Sequence, residues 1–229
     1  IGLAFGSYVG KFGGKRRGIW QENSMCRWKM ENTPELITER LVLRRFAPGD
    51  GEAVLRILGD RQVNTFLPMF PLENQAEAER YLRETYLDFY RWPWGYRYAV
   101  AFRENGRVVG YVHLSDPESL DLGYGLEQAF WHQGLAAEAC RALMGRWQNA
   151  GIPYITATHD VNNPRSGAVM RKLGMTYRYS YRELWQPKDF WVTFRMYQRN
   201  LDGREERVYR GYWERYPEHF VEPLEGELL

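Results

Sequence analysis

Several segments of the chain alternate apolar and polar side chains with a period of two. The three clearest are LVLRRF (41–46), YRYAVAFR (96–103) and RVVGYVHL (107–114). This alternation is typical of a β-strand with one buried face, and the pair Asn105-Gly106 supplies the positive φ angles of a tight hairpin turn. The pattern therefore predicts one early strand, then a hairpin, and then a third strand at 119–126.

Apolar residues three and four positions apart mark the helical segments. They predict helices that open after Pro48-Gly49-Asp50, that span 73–90 and 134–149, and that run from Asn163-Pro164 to Gly174. The loop NTFLPMFPL (64–72) between the first two helices is too apolar to be left in water and too interrupted by proline to be a helix.

The second half of the chain adds a strand at 152–159 and a last hairpin, 176–186 with 190–198, around Pro187-Lys188-Asp189. No repeat and no linker interrupts 36–200, so the fold class is α/β (α+β) with a mixed, mostly antiparallel sheet. We divide the chain into a leader (1–29), one domain (30–200) and a C-terminal extension (201–229). The aromatic residues of the extension predict a short helix and turn packed on the domain.

Composition narrows the class of protein. Hydrophobic residues make up 44% and charged residues 26% of the chain, as in an ordinary globular protein. Lys plus Arg number 31 and Asp plus Glu 29, so the net charge of +2 is too balanced to argue for a nucleic-acid partner, and we expect none. Two cysteines and four scattered histidines predict neither a disulfide framework nor a metal site, and favour a cytoplasmic location. No apolar run reaches the ~20 residues of a membrane span, and monomer and homodimer both stay open.

The leader carries a Lys-Arg-Arg cluster at 15–17. It has two interpretations, a basic arm that touches nucleic acid or a flexible leader with the natural start at Met25 or Met30. Its many glycines and lack of a steady period favour the second.

The segment DLGYGL (121–126) places its side chains unevenly. Leu122, Tyr124 and Leu126 share one face of the predicted strand, whereas Asp121, Gly123 and Gly125 share the other. Glycine inside a strand indicates a bulge or the close approach of another group to the backbone. We therefore expect a nearly bare face that leads to a carboxylate.

The strand then turns through His132-Gln133-Gly134 into a helix whose first residues are small. Free amides at a helix start, together with the helix dipole, can bind a phosphate. A plain strand-to-helix turn fits the same residues, so both interpretations stay open here. A Walker-type loop is excluded because no Gly-Lys-Ser/Thr follows.

Four motifs together resemble the GNAT superfamily of acyl-CoA N-acyltransferases, in particular the branch of ribosomal-protein N-terminal acetyltransferases. They are TERLVLRRF, DLGYGL, WHQGLAAEA and NNPRSGAVMRKLGM, and they cover roughly 36–199 in the family's order. The resemblance implies a GNAT-like sheet flanked by helices, with splayed strands that form an acyl-CoA cleft. Trp131 departs from the Gln or Arg that usually opens the loop-to-helix motif.

The resemblance also implies how acetyl-CoA, the expected co-substrate, would bind without a metal. The strand edge at Tyr124-Gly125-Leu126 would pair with the pantetheine arm. The pyrophosphate would bind the backbone amides of His132, Gln133, Gly134, Leu135, Ala136 and Ala137. Asn163 and Ser166 fall on the family's Asn-x-x-Ser pattern, where Asn163 would bind the pantetheine. Asn163 is equally a favoured helix N-cap before Pro164.

Three catalytic candidates follow from the resemblance. Met170 stands where many relatives have a Tyr that acts as the general acid. Ser166 would therefore protonate the departing thiolate. Asp121 stands where histone-type relatives carry the general base, and Glu183 near the base of some N-terminal acetyltransferases. The alternative for both carboxylates is a structural ion pair.

The implied reaction moves an acetyl group to a primary amine, either a peptide N-terminus or a small-molecule or lysine amine, by direct attack. The acceptor would lie between the apolar loop 66–72 and Arg91-Trp92-Pro93-Trp94. The alternative is a catalytically degenerate CoA-binding module with a sensing or assembly role, which the missing Tyr and the substituted Trp131 favour.

Overall fold

The computed structural model describes residues 31–92, 95–115 and 118–224. The leader (1–29) lies outside these described residues. The strands form two sheets, one of five strands in the order β1-β2-β3-β4-β5 and one of four in the order β6-β8-β7-β9. The first comprises β1 (Leu36–Ile37), β2 (Leu41–Arg44), β3 (Tyr96–Phe102), β4 (Val108–Leu114) and β5 (Leu122–Leu126). The second comprises β6 (Tyr154–Asp160), β7 (Thr176–Trp185), β8 (Phe190–Asn200) and β9 (His219–Phe220).

Six α-helices connect these strands within the described part of the chain. They are α1 (Gly51–Leu58), α2 (Arg61–Asn64), α3 (Gln75–Leu82), α4 (Leu135–Asn149), α5 (Pro164–Lys172) and α6 (Gly211–Arg215). The helix predicted over 73–90 is interrupted, because α3 passes into a π-helical turn at Arg83–Leu87. The predicted third strand is also shorter, since β5 begins at Leu122 rather than at residue 119.

The first sheet is antiparallel and buried on both faces. Its alternating side chains divide into two clusters, with Tyr98 and Val100 of β3 on one side and Ala99 and Ala101 on the other. The first cluster packs against α4 and α5, and the second against α1, α2 and α3. The apolar loop after α2 belongs to the second cluster, where Leu67 is fully buried.

The two sheets meet at one point in the described chain. Asp121, directly before β5, forms a parallel bridge with Thr156 of β6, and the Thr156 amide donates to the Leu120 carbonyl oxygen at 3.1 Å. Beyond this bridge β5 pairs with β4 alone and β6 with β8 alone. The two parallel strands therefore separate towards their carboxyl ends, as the expectation of splayed strands requires.

The C-terminal segment covers the edge of β7 that β8 leaves unpaired. On one face, Tyr212 of α6 stacks on Tyr181 at a centroid distance of 5.1 Å, within a third apolar cluster. The chain then pairs β9 with β7, and Glu222 binds Arg195 and Ser180. These contacts bind residues 208–222 to the second sheet.

Candidate active site

The splay between β5 and β6 is closed at its base by side chains. Asp121 is 2% exposed, and the Thr156 hydroxyl lies 3.0 Å from Asp121 Oδ1 and 2.9 Å from the Ser119 carbonyl oxygen. Asp121, one of the two candidate bases, is thus buried at the joint of the two sheets, next to a hydroxyl. The adjoining strand edge, Tyr124-Gly125-Leu126, borders the splay.

The expectation of a bare glycine face on β5 is wrong. The side chain of His113 covers Gly123 and that of Tyr111 covers Gly125, because a Cβ on these glycines would come within 2.2 Å and 2.6 Å of the two rings. The rings stack in parallel at 5.7 Å. The close approach that glycine allows is therefore made by β4, the neighbouring strand. Burial lowers the pKa of His113 to about 3, so this ring is neutral.

The turn into α4 has the backbone of an anion site. His132 and Gly134 both have positive φ angles, 63° and 78°, and Gly134 is the N-cap of the 15-residue helix. The first amides of an α-helix have no acceptor within the helix. The amides of Leu135, Ala136 and Ala137 therefore stand at the positive end of the α4 dipole, next to the splay.

Arg40 braces this turn from the first sheet. Its guanidinium donates to the Gln133 carbonyl oxygen at 3.1 Å and pairs with Glu138 of α4 at 2.6 Å. Thr38 also donates to Glu138, at 2.6 Å. Sequence reasoning missed this brace because the partners are 98 residues apart, although TERL (38–41) was part of the family motif.

Trp131 has a local structural role that explains its departure from the motif. Its indole Nε1 donates to the Leu126 carbonyl oxygen at 2.9 Å, and its ring packs on both large apolar clusters. The Arg165 guanidinium lies 5.4 Å from the centroid of this ring. A cation from the start of α5 thus stands beside the turn into α4.

Asn163 and Ser166 lie at the start of α5. The Asn163 side chain accepts from the Ser166 amide at 3.4 Å, so the predicted N-cap is present. Ser166 is 4% exposed, and its hydroxyl oxygen lies 3.0 Å from the Tyr124 hydroxyl oxygen. The structure thus brings Tyr124, Asn163 and Ser166 together on one side of the splay.

Glu183 lies on β7, on the same face as Tyr181. Burial raises the pKa of Glu183 above its ordinary value, while a hydrogen bond with Tyr216 acts in the opposite direction. Asp121 and Glu183 both act electrostatically on the buried Tyr181 hydroxyl. The two predicted carboxylates therefore border the same aromatic cluster, although Glu183 is the less buried of the two.

Among the described residues, no group of three or more His, Cys, Asp or Glu side chains is placed to hold a metal ion. No helix in the same part of the chain has the length and apolar character needed to cross a membrane.

Comparison with known proteins agrees with this geometry. Residues 40–176 match the family model described as "Acetyltransferase (GNAT) domain", which covers more than half of the chain, so the chain belongs to the GNAT acetyltransferase family. This confirms the resemblance, the fold class and the enzyme class predicted from the sequence.

Individual proteins show the same similarity. The curated "Uncharacterized N-acetyltransferase YoaA" of Bacillus subtilis (strain 168) is 24% identical over 148 residues, which are 62% of this chain and 82% of that protein. A GNAT-family acetyltransferase structure from Bacillus anthracis has a TM-score of 0.64 at 20% identity and covers 74% of this chain and 99% of its own. The ribosomal L7/L12 alpha-N-protein acetyltransferase RimL, in complex with coenzyme A, has a TM-score of 0.63 at 20% identity and covers 73% and 97%.

Proposed function

We propose that this GNAT acetyltransferase moves an acetyl group from acetyl-CoA to a primary amine by direct attack, and that a peptide α-amine is the preferred acceptor. The observation that carries the proposal is the splay of β5 and β6 beside the turn into α4. The free edge of β5 and the free amides at the start of α4 lie next to each other. Acetyl-CoA needs both, because its pantetheine arm can pair with a strand edge and its pyrophosphate can bind free amides.

The residues at this place fit acetyl-CoA. The small residues Gly134, Ala136 and Ala137 leave room for phosphate oxygens at the amides, and the positive φ of Gly134 turns the chain around them. Arg165 brings a positive charge beside the turn, whereas Arg40 is paired with Glu138 and holds the turn in place. We assign the pyrophosphate to the amides of 132–137, and the pantetheine arm to the edge at 124–126 and to Asn163. RimL, which has the same fold, holds coenzyme A.

The amine must be neutral to attack the thioester carbon. At pH 7 the free-energy cost of deprotonation is ~4.6 kcal/mol for a lysine-type amine with a pKa of ~10.4. It is only ~1 kcal/mol for an α-amine with a pKa of ~7.7–8.0. A peptide α-amine therefore needs less help from a base. The enzyme named as an alpha-N-protein acetyltransferase among the structural neighbours supports the same acceptor.

We assign the general base to Glu183 rather than to Asp121. Asp121 is almost fully buried at the sheet joint and is bound by Thr156, so it serves to hold the two sheets together. Glu183 is less buried, and its raised pKa makes it a stronger base than an ordinary carboxylate. Ser166 gives a proton to the leaving thiolate.

The two carboxylate variants test this assignment. Glu183→Gln should lower turnover of a lysine-type amine by ~10²–10⁴ and remove the acidic limb of the pH profile, because the base no longer titrates. The loss should shrink at high pH and be smaller for a peptide α-amine. Release of CoA thiol is the measurement. Asp121→Asn, which keeps an oxygen towards Thr156, should retain turnover, and a pH-rescued loss in this variant alone would reverse the assignment.

The second candidate function is a CoA-binding module without catalysis, which Met170 in place of a Tyr favours. Both candidates bind acetyl-CoA, but only the enzyme releases CoA thiol when amines are supplied. Acetyl-CoA binding without turnover across a panel of peptides, polyamines and small amines would establish the module instead.

A further inference from the structure

Tyr124 joins the two sides of the splay through its hydroxyl. The side chain is 4% exposed, and its oxygen lies 2.8 Å from the Ser166 carbonyl oxygen and 3.0 Å from Ser166 Oγ. The phenol comes from β5 and the serine from the first turn of α5. The family resemblance assigns only the backbone of Tyr124 to pantetheine binding and gives its hydroxyl no role.

The positions of the oxygen atoms decide where the protons lie at rest. A carbonyl oxygen can only accept, so the Tyr124 proton points to the Ser166 carbonyl. The Tyr124 oxygen is then free to accept from Ser166 Oγ. The bond to Ser166 Oγ holds the serine side chain, and the bond to the carbonyl oxygen holds the serine backbone. The serine proton can therefore turn towards the cleft without movement of its oxygen.

We propose that Tyr124 is a positioning residue for Ser166, which it holds in place and whose oxygen it stabilises while the serine proton moves to the leaving thiolate. The Tyr124 proton has two acceptors at similar distances, and it can shift from the carbonyl to Ser166 Oγ as negative charge develops there. An interaction that strengthens only in the transition state raises turnover rather than affinity. Burial raises the pKa of Tyr124, so the phenol keeps its own proton.

The step balances in atoms and protons. The amine nitrogen bonds to the acetyl carbon, the carbon–sulfur bond breaks, and its electron pair stays on sulfur. Ser166 gives its proton to that sulfur, while the nitrogen gives one proton to the carboxylate base. The base returns this proton through water to Ser166, so one proton passes in total from nitrogen to sulfur.

The sequence of α5 offers one side chain that can give a proton to the leaving thiolate. Among its residues, PRSGAVMRK, Ser166 is the only one with a hydroxyl, and Met170 lies one turn further along the same buried face. Tyr124 thus brings a phenol from β5 to the one hydroxyl of this helix.

The inference rests on the proposed acetyl transfer and is tested by a double-mutant cycle. Ser166→Ala should lower kcat ~100-fold and Tyr124→Phe about tenfold, while the double variant should be no slower than Ser166→Ala. The KM for acetyl-CoA should not change. Tyr98→Phe is the matched control, since its buried hydroxyl has no hydrogen-bond partner among the described residues, and its kcat should equal that of the unaltered enzyme.

Losses that multiply in the double variant, or an unchanged kcat in Tyr124→Phe, would overturn the inference. A crystal structure with coenzyme A gives a readout that needs no acceptor. We expect Ser166 Oγ within hydrogen-bond reach of the CoA sulfur in the unaltered protein and rotated away in Tyr124→Phe. A Ser166 side chain that faces away from the sulfur in both proteins would refute the positioning role. A Ser166 side chain that faces the sulfur in the unaltered protein and is rotated away in Tyr124→Phe, without any turnover, would refute only the proposed acetyl transfer.

Discussion

At the scale of single residues, backbone conformation matters more than side-chain identity in the turn into α4, the proposed phosphate site. Gly134 has a φ angle of 78°, and a Cβ built there would come no nearer than 3.7 Å to Arg40 Nη2. Space is therefore available, and the constraint is the left-handed backbone. Such a conformation costs an ordinary residue ~1–2 kcal/mol.

The first prediction concerns this turn. Gly134→Val should weaken acetyl-CoA binding by ~10-fold or more, because valine shifts the backbone away from the left-handed region and moves the free amides. Ala136→Glu should do the same by placing a negative charge beside the phosphates. Calorimetric titration with acetyl-CoA measures both.

Gly145 in the same helix provides the control, because it is exposed and nothing lies within 4 Å of a Cβ placed there. Gly145→Ala should leave the affinity unchanged and stabilise the helix by ~1 kcal/mol. Unaltered affinity in both Gly134→Val and Ala136→Glu would rule out the assigned phosphate site.

At the scale of elements, the C-terminal segment is held by an ion pair as well as by aromatic stacking. Glu222 accepts from Arg195 Nε at 3.0 Å and 3.1 Å, and its backbone amide donates to Tyr177. The hydrogen bonds from Arg195 lower the pKa of Glu222 below its ordinary value of 4.5. The folded state therefore prefers the ionised carboxylate, and this stabilisation is complete above pH 4.5 and lost as the pH falls through the lowered pKa.

The second prediction follows from the preference of the folded state for an ionised Glu222. Glu222→Gln should lower the free energy of unfolding by ~1–2 kcal/mol at pH 7, and the difference from the unaltered protein should vanish in strong acid. Urea denaturation at several pH values measures it. Glu218→Gln removes an exposed pair with Arg182 and should cost less than ~1 kcal/mol. A difference for Glu222→Gln that persists in acid would contradict the ion-pair assignment.

At the scale of the whole molecule, a second contact links the β7–β8 hairpin of the second sheet to α2, which packs on the first sheet. Lys188, at the tip of the β7–β8 hairpin, donates to the carbonyl oxygen and to the side-chain oxygen of Asn64 at 2.7 Å and 3.0 Å. Asn64 ends α2 on the first sheet's side and is itself buried. Burial lowers the pKa of Lys188. The hairpin tip is thus bound to the opposite half of the fold.

The third prediction tests this connection. Lys188→Met should raise amide hydrogen exchange in the hairpin tip and α2 by about tenfold, the effect of losing ~1.5 kcal/mol of charged hydrogen bonds. Exchange in α4 should not change. Lys172→Met, at an exposed lysine that ends α5, should leave the exchange pattern unaltered, and an unchanged pattern in Lys188→Met as well would show that the hairpin is held by other contacts.

The sequence by itself determined most of the longer elements and their order. Period-two runs gave β2, β3 and β4, capping residues gave the start of α5 at Asn163-Pro164, and the motifs identified the turn before α4. These signals are local, because alternation, caps and glycine turns depend on neighbours only a few residues away.

Only the tertiary structure decided which side chains contact each other across distant parts of the chain. The glycine face of β5 is covered by His113 and Tyr111, which belong to another strand, so the two glycines are explained by packing and not by a ligand. Arg40 reaches Glu138, and Tyr124 reaches Ser166, across 98 and 42 residues of chain. No local pattern encodes such contacts, because they depend on how the sheets and helices pack after the elements have formed.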